Sequence, residues 1–242
     1  MSRRTIAIAA ALSVLALWSP LVIANANSLA NNSFNSGLDK YEQGNYRGAI
    51  SDYTKALEIN PEFANAFAYR GVARNKLGDH QGAIADFTKA VEINPQYASA
   101  YYNRGNAKRN LKDYQGAIAD YTKAIQINPK FANAYYNRGG TKYSLEDYKG
   151  EIADYNRAIE VDPKHPFAYY NRGIAKAYSK DYQGAIDDYS KAIEINPQHA
   201  DAYSNRGIAR ELVSDLEGAC RDWRKAADFG STEPAEWVKK QC

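Results

Sequence analysis

The sequence predicts an all-α solenoid, a stack of six helix–turn–helix units closed by a C-terminal capping helix. Three series of residues carry this prediction. Gly37, Gly71, Gly105, Gly139, Gly173 and Gly207 recur every 34 residues, as do Gly48, Gly82, Gly116, Gly150, Gly184 and Gly218. Pro61, Pro95, Pro129, Pro163 and Pro197 keep the same period. Twelve of the 16 glycines therefore sit in two slots. A fixed period of this length means one supersecondary unit stacked on its own copies, not a globule around one closed core.

The chain opens on a leader-like segment. Ser2-Arg3-Arg4 is a short positive start, Thr5 to Leu17 is mostly apolar, and Pro20 ends any helix there. Ala24-Asn25-Ala26 supplies a small-x-small cleavage pattern, so residues 1–26 read as a secretory signal peptide cut after Ala26. Ser13, Ser19 and Pro20 interrupt the stretch that would otherwise serve as an uncleaved anchor. No cysteine lies near the cut to carry a lipid, and no second hydrophobic stretch follows. The expected mature chain has no membrane span and belongs in a periplasm, a thylakoid lumen or the medium.

Within a unit, Ala98 to Leu111 carries small or apolar residues at helical spacing. Asp113 then offers an N-cap to a second amphipathic helix, Tyr114 to Ile127, with Ala117, Ile118, Tyr121, Ala124 and Ile125 on one face. Asn128-Pro129 ends it, because the residue before a proline is pushed out of the helical region. Gly105, Ala117 and Ala124 allow the two helices to approach closely.

This unit resembles the tetratricopeptide repeat (TPR), which has an aromatic, Gly, Ala, an aromatic, Ala and Pro at set places in 34 residues. Those places hold Tyr101, Gly105, Ala117, Tyr121, Ala124 and Pro129. Six units fit, at 30–63, 64–97, 98–131, 132–165, 166–199 and 200–233, within a mature region of 27–233. The wording Asn-Arg-Gly followed by Asp-Tyr-Gln-Gly-Ala-Ile resembles exported cyanobacterial TPR arrays. The resemblance implies a right-handed α-solenoid whose first helices line a concave surface that binds proteins or peptides.

Departures from the pattern mark the ends and the fourth unit. Ser33 stands where other units have Tyr or Phe, and Ser231 where proline is expected. Residues 234–242 are expected to form the capping helix. In the fourth unit Glu151 replaces the close-packing alanine and Gly140 adds a second glycine. A carboxylate there is expected to turn outward or find a partner, with a local widening, because an unpaired buried charge is costly. The repeated glycine from Gly48 to Gly218 falls in the first turn of each second helix, and sequence alone offers no reason for it.

Asn35, Asn103, Asn137, Asn171 and Asn205 recur on the first helices, with Tyr69 in the remaining unit. An amide offers a donor and an acceptor together, which matches an extended peptide backbone. A similar asparagine ladder holds peptides in the TPR domains of protein O-GlcNAc transferases, and the resemblance implies that use here; the alternative is that these amides only bond to neighbouring helices. Tyr102, Tyr136 and Tyr170 directly precede three of these asparagines. They form a candidate aromatic stripe for partner side chains or sugar rings, or else pack one unit on the next. Arg70, Arg104, Arg138, Arg172 and Arg206 match Asp52, Asp86, Asp120, Asp154, Asp188 and Asp222 in period, which predicts a ladder of ion pairs between helices.

Cys220 and Cys242 are the chain's two cysteines. An oxidising compartment favours a disulfide between them that pins the cap, closing a loop whose constraint is worth ~3 kcal/mol. His165 and His199 read as surface residues in separate turns, with no metal site. No catalytic set, phosphate loop or cofactor motif appears, so the chain is not expected to be an enzyme. A formal net charge of +3 gives no basic face for nucleic acid. The function expected is an exported scaffold or adaptor binding a protein or extended peptide. Cell-wall glycan binding and a self-associating structural protein are the alternatives.

Overall fold

The computed structural model describes residues 20–232 and Cys242. Among the described residues there are 12 α-helices and no strands, the content of an all-α stack of helical hairpins. The chain divides into two compact units, residues 1–113 and 114–242. The first holds α1 (Pro20–Glu42), α2 (Tyr46–Ile59), α3 (Ala64–Lys76), α4 (His80–Ile93) and α5 (Ala98–Asn110). The second holds α6 (Tyr114–Ile127), α7 (Ala132–Tyr143), α8 (Tyr148–Val161), α9 (Pro166–Tyr178), α10 (Tyr182–Ile195), α11 (Ala200–Leu212) and α12 (Leu216–Asp228). Most of the leader and most of the expected capping helix, 234–241, lie outside the described residues. The helix break expected at Pro20 concerns residues outside the described ones; α1 begins at Pro20, where a missing N–H is no loss, and runs on through Ala24-Asn25-Ala26.

The second helix of each hairpin starts on a side-chain cap. Asn45, Asp79, Asp147, Asp181 and Asp215 accept from the N–H of Gly48, Gly82, Gly150, Gly184 and Gly218 at 2.9–3.0 Å. The repeated glycine now has a cause. A Cβ at Gly48 would lie 2.6 Å from Asn45 Nδ2, and one at the other four would strike the capping carboxylate. Glycine lets the cap fold tightly over the helix end.

These helices stop at Asn60, Asn94, Asp162 and Asn196, all in extended backbone before a proline. Their side-chain oxygens accept from the N–H two residues on, at 3.0–3.2 Å, and so turn the chain into the next hairpin. The turn inside each hairpin uses one left-handed residue. Gly44 and Gly78 fill that place first, and then Lys112, Glu146, Lys180 and Ser214 take it with φ of 61–68°.

The core is a column of small residues facing rings. Ala49, Ala83, Ala117, Ala185 and Ala219 are fully buried, as are Tyr53, Phe87 and Tyr121. A Cβ at Gly71 would stand 2.9 Å from the Phe87 ring, and one at Gly173 2.7 Å from the Tyr189 ring. The first glycine series therefore sets the distance between the two helices of a hairpin.

The ion-pair ladder joins three helices at a time. Arg70, Arg138, Arg172 and Arg206 grip Asp86, Asp154, Asp188 and Asp222 with two prongs, Nε at 2.8–3.0 Å and Nη2 at 2.5–2.7 Å. Their Nη1 atoms donate backwards to Thr54, Thr122, Asn156 and Ser190 on the preceding second helix, and Arg104 reaches Thr88 in the same way. Each guanidinium also lies over the ring three residues before it, at 5.3–5.7 Å, from Phe67 to Tyr203. A second cation, Arg74, Lys142, Lys176 or Arg210, reaches the same aspartate at 2.8–2.9 Å. The aspartates are 3% exposed, so every lone pair matters.

The first hairpin departs from this. Ser36 stands in the arginine slot and donates to Asp52 at 2.6 Å, beside Lys40 and Lys55. Burial alone would raise the Asp52 carboxyl, but these three donors pull it down to about 2.

Two outcomes follow from the ladder. Asp188→Ala strands the Arg172 guanidinium and should cost about 3–5 kcal/mol in urea denaturation, whereas Glu194→Ala on the exposed face should cost under about 1 kcal/mol. Asp52 is depressed below its ordinary 3.8, so its contribution is whole above that pH and fades as pH falls towards 2. The stability gap between the native chain and Asp52→Asn should therefore close on acidification across that window.

Candidate functional site

The candidate residues lie on the first helix of successive hairpins. In the first unit of the chain, Asn35 is exposed on α1, and Tyr102 and Asn103 are half-buried on α5. In the second, Tyr136 and Asn137 lie on α7, Tyr170 and Asn171 on α9, and Asn205 on α11. Two bonds between successive rows carry the same chemistry. Asn171 Nδ2 donates to the Tyr136 hydroxyl at 2.8 Å, and Asn205 Nδ2 to the Tyr170 hydroxyl at 3.0 Å. Each amide thus spends one N–H on the phenol of the preceding hairpin, and Asn171 also engages the Tyr155 hydroxyl. Asn137 and Tyr102 are also engaged within the fold.

In the first unit the slots hold different residues. Ala68 stands in the slot of Tyr136, so that slot offers Asn103 no hydroxyl. Phe34 stands there in the first hairpin, and Tyr69 replaces the asparagine opposite it, packing edge-on at 5.4 Å. Ring meets ring where no hydroxyl is present.

The tyrosine stripe is mostly packing. Tyr136 lies against Tyr155 at 5.7 Å and His165 at 4.7 Å, and Tyr170 against Tyr189 at 5.9 Å and His199 at 4.7 Å. The two histidines are not surface residues as expected. They occupy a slot held elsewhere by Phe63, Tyr97 and Phe131, and His165 is 8% exposed. Its Nδ1 accepts from Ala168 N–H at 3.1 Å and caps α9, while burial holds the imidazole below its ordinary range. The aromatic slot was readable in the sequence at this period, but a histidine read singly conceals it.

Glu151 neither turns outward nor is fully partnered. It is 3% exposed, with the Tyr155 hydroxyl as its hydrogen-bonding neighbour, and Oε2 has no partner. Burial pushes its carboxyl up to about 7. Beside it a cavity of about 390 Å³ is lined by Gly140, Tyr143, Tyr155, Asn171, Ile174 and Tyr178 as well as Glu151. Gly140 lines this space in a slot that holds Leu38, Val72, Asn106, Ile174 and Ile208 in the other hairpins. The next hairpin repeats the cavity in apolar form, about 330 Å³ against Ile174, Tyr189, Asn205, Ile208 and Leu212.

At the chain's end the Cys220 and Cys242 sulfurs are paired, with Cα atoms 5.8 Å apart. Among the described residues no cluster of His, Cys, Asp and Glu could hold a metal.

Family models described as tetratricopeptide repeat match residues 34–98, 98–131, 132–165 and 166–199. Among solved structures, YrrB, described as a TPR protein with an unusual peptide-binding site, is 26% identical with a TM-score of 0.66. That similarity covers 78% of this chain and 97% of YrrB. PilF of Pseudomonas aeruginosa is 19% identical, with a TM-score of 0.77 over 89% of this chain and 99% of its own. PilW, a type IV pilus biogenesis factor, is 19% identical, with a TM-score of 0.72 over 87% and 98%. These last two show the fold alone. No curated protein sequence matches the chain.

Glu151 is raised above its ordinary 4.5, so the native state prefers it neutral. Its burial costs nothing below that pH, costs progressively more as pH rises to about 7, and is constant beyond. Glu151→Ala restores the residue that other hairpins hold in this slot. Its melting temperature should exceed the native one by a margin that grows from pH 4.5 to about 7, measured by circular dichroism.

Proposed function

This chain belongs to the tetratricopeptide repeat family, and we propose that it is an exported scaffold that holds a protein, or an extended segment of one, on the face of its first helices. The observation that carries this reading is the row of amides. Asn171 and Asn205 are oriented by phenols of the preceding hairpin, so each presents its remaining polar groups at a fixed angle. Orientation in advance lowers the entropy cost of gripping a flexible backbone. The peptide-binding site described for YrrB supports the same use of the fold. The tyrosines orient the amides more than they face a ligand. Their ring faces are taken by His165, Tyr155, His199 and Tyr189, which weighs against stacking on sugar rings.

Export rests on the leader pattern of residues 1–26, and a periplasm, a lumen or the medium would suit it equally. A Cys220–Cys242 disulfide would be stable in such an oxidising compartment. No helix among the described residues is long and apolar enough to cross a membrane.

Photocrosslinking of the full chain in its own cells tests the reading. The Asn103→Ala, Asn137→Ala and Asn171→Ala triple variant should lose at least about ten-fold of the crosslinked partner while keeping its helical content. Equal capture by both chains would move the interface off this face. Terminal sequencing of the exported form should begin at Asn27, and a start at Met1 would reject the leader.

A further inference from the structure

We propose that the Glu151 cavity is a binding site for the ε-ammonium of a lysine in an extended partner segment. The inference rests on the peptide-scaffold reading and names the side chain that it would anchor. Three observations meet here. The carboxyl is almost wholly buried, and Oε2 has no donor. An acceptor left so costs free energy that an entering N–H would recover. The cavity beside it is large enough for an alkylammonium head and is walled by the phenol rings of Tyr143, Tyr155 and Tyr178. Rings of this kind attract a cation at their faces and tolerate a methylene stem. A second hollow of about 260 Å³, lined by Tyr143, Tyr148, Tyr178 and Ser179, shares two of those rings and continues the path outward. Tyr178 is 73% exposed, so the mouth is open to solvent.

The details favour lysine over other cations. A quaternary ammonium has no N–H to give Oε2. A guanidinium needs both carboxylate oxygens free in one plane, and Tyr155 already engages this carboxyl. Among the described residues no cation lines the cavity. Arg138 and Lys142 on α7 are tied to Asp154, and the titratable groups that face Glu151 are the phenols of Tyr143 on α7, Tyr155 on α8 and Tyr178 on α9. The site is also built by a paired change. Gly140 and Glu151 both line the space, and the equivalent hollow one hairpin on, with Ile174 and Ala185 in those slots, carries no acid.

Because the free carboxyl sits near 7, amine binding is coupled to its ionisation. The amine stays charged throughout that range, so affinity rises with pH as Glu151 loses its proton.

The test uses n-butylammonium chloride as the lysine side chain and follows the full chain by NMR. Saturable shifts are expected at the Gly140 amide and at the rings of Tyr143 and Tyr178. Binding should be about ten-fold or more tighter at about pH 8 than at about pH 5.5. n-Butanol and n-butylguanidinium should bind at least about ten-fold more weakly. Glu151→Ala should abolish the shifts, and this variant remains folded because other hairpins carry alanine there. Shifts retained by Glu151→Ala, equal binding of n-butanol, or no saturable shift at the higher pH would each overturn the site. Butylammonium binding without crosslinked partner would leave the site standing and reject the scaffold reading; partner capture without butylammonium binding would do the reverse.

Discussion

The stack depends on a buried aspartate in each second helix. One carboxylate with 3% exposure must be neutralised and must have all its lone pairs occupied, or it would unfold the hairpin that holds it. The arginine four residues before the second cation meets that demand with a planar fork. The third prong of the fork then donates to Thr54, Thr88, Thr122, Asn156 or Ser190 on the hairpin before. The same group that neutralises one hairpin thus ties it to its predecessor. A hydrophobic contact could bury as much area, but it would not fix the rotation of one hairpin on the next. A bidentate pair with a backward hydrogen bond does.

That fixed register is what makes a ladder of function-bearing side chains meaningful. Arg172 directly follows Asn171, and Arg206 directly follows Asn205. Holding the guanidinium holds the adjacent amide within reach of the phenol behind it. Binding groups and structural groups therefore alternate along the same turn of helix. The half-buried amide inherits its precision from the buried salt bridge beside it, so damage to the bridge would read out as lost binding as well as lost stability.

The sequence displayed much of this through period alone. The hairpins, the proline stops, the arginine–aspartate ladder and the close approach at the first glycine series all follow from residues recurring at one spacing. What stayed hidden depended on pairs of slots read together. The second glycine series looked arbitrary until the caps at Asn45 and Asp79 were seen folded over Gly48 and Gly82. His165 looked like a turn residue because it was compared with other histidines and not with Phe63, Tyr97 and Phe131, whose packing it adopts. The acceptors from Thr54 to Ser190 were overlooked because they vary in type while keeping one chemical property.

Glu151 and Gly140 show how a repeat can acquire chemistry without losing its frame. A glutamate set into an alanine slot would overfill the core if its neighbour kept a branched side chain, and overpacking strains a stack as surely as a void does. A glycine alone in the isoleucine slot would leave an unfilled apolar space. The two changes offset one another, and the space at this hairpin is lined by an acid and three phenols where its neighbour's is largely apolar. Because each hairpin touches only its neighbours, the cost stays local. The fork of Arg138 on Asp154, three residues from Glu151, is undisturbed, with its prongs at 2.9 and 2.6 Å. The frame is carried by the aspartates, and this leaves the alanine slot free to differ in one hairpin.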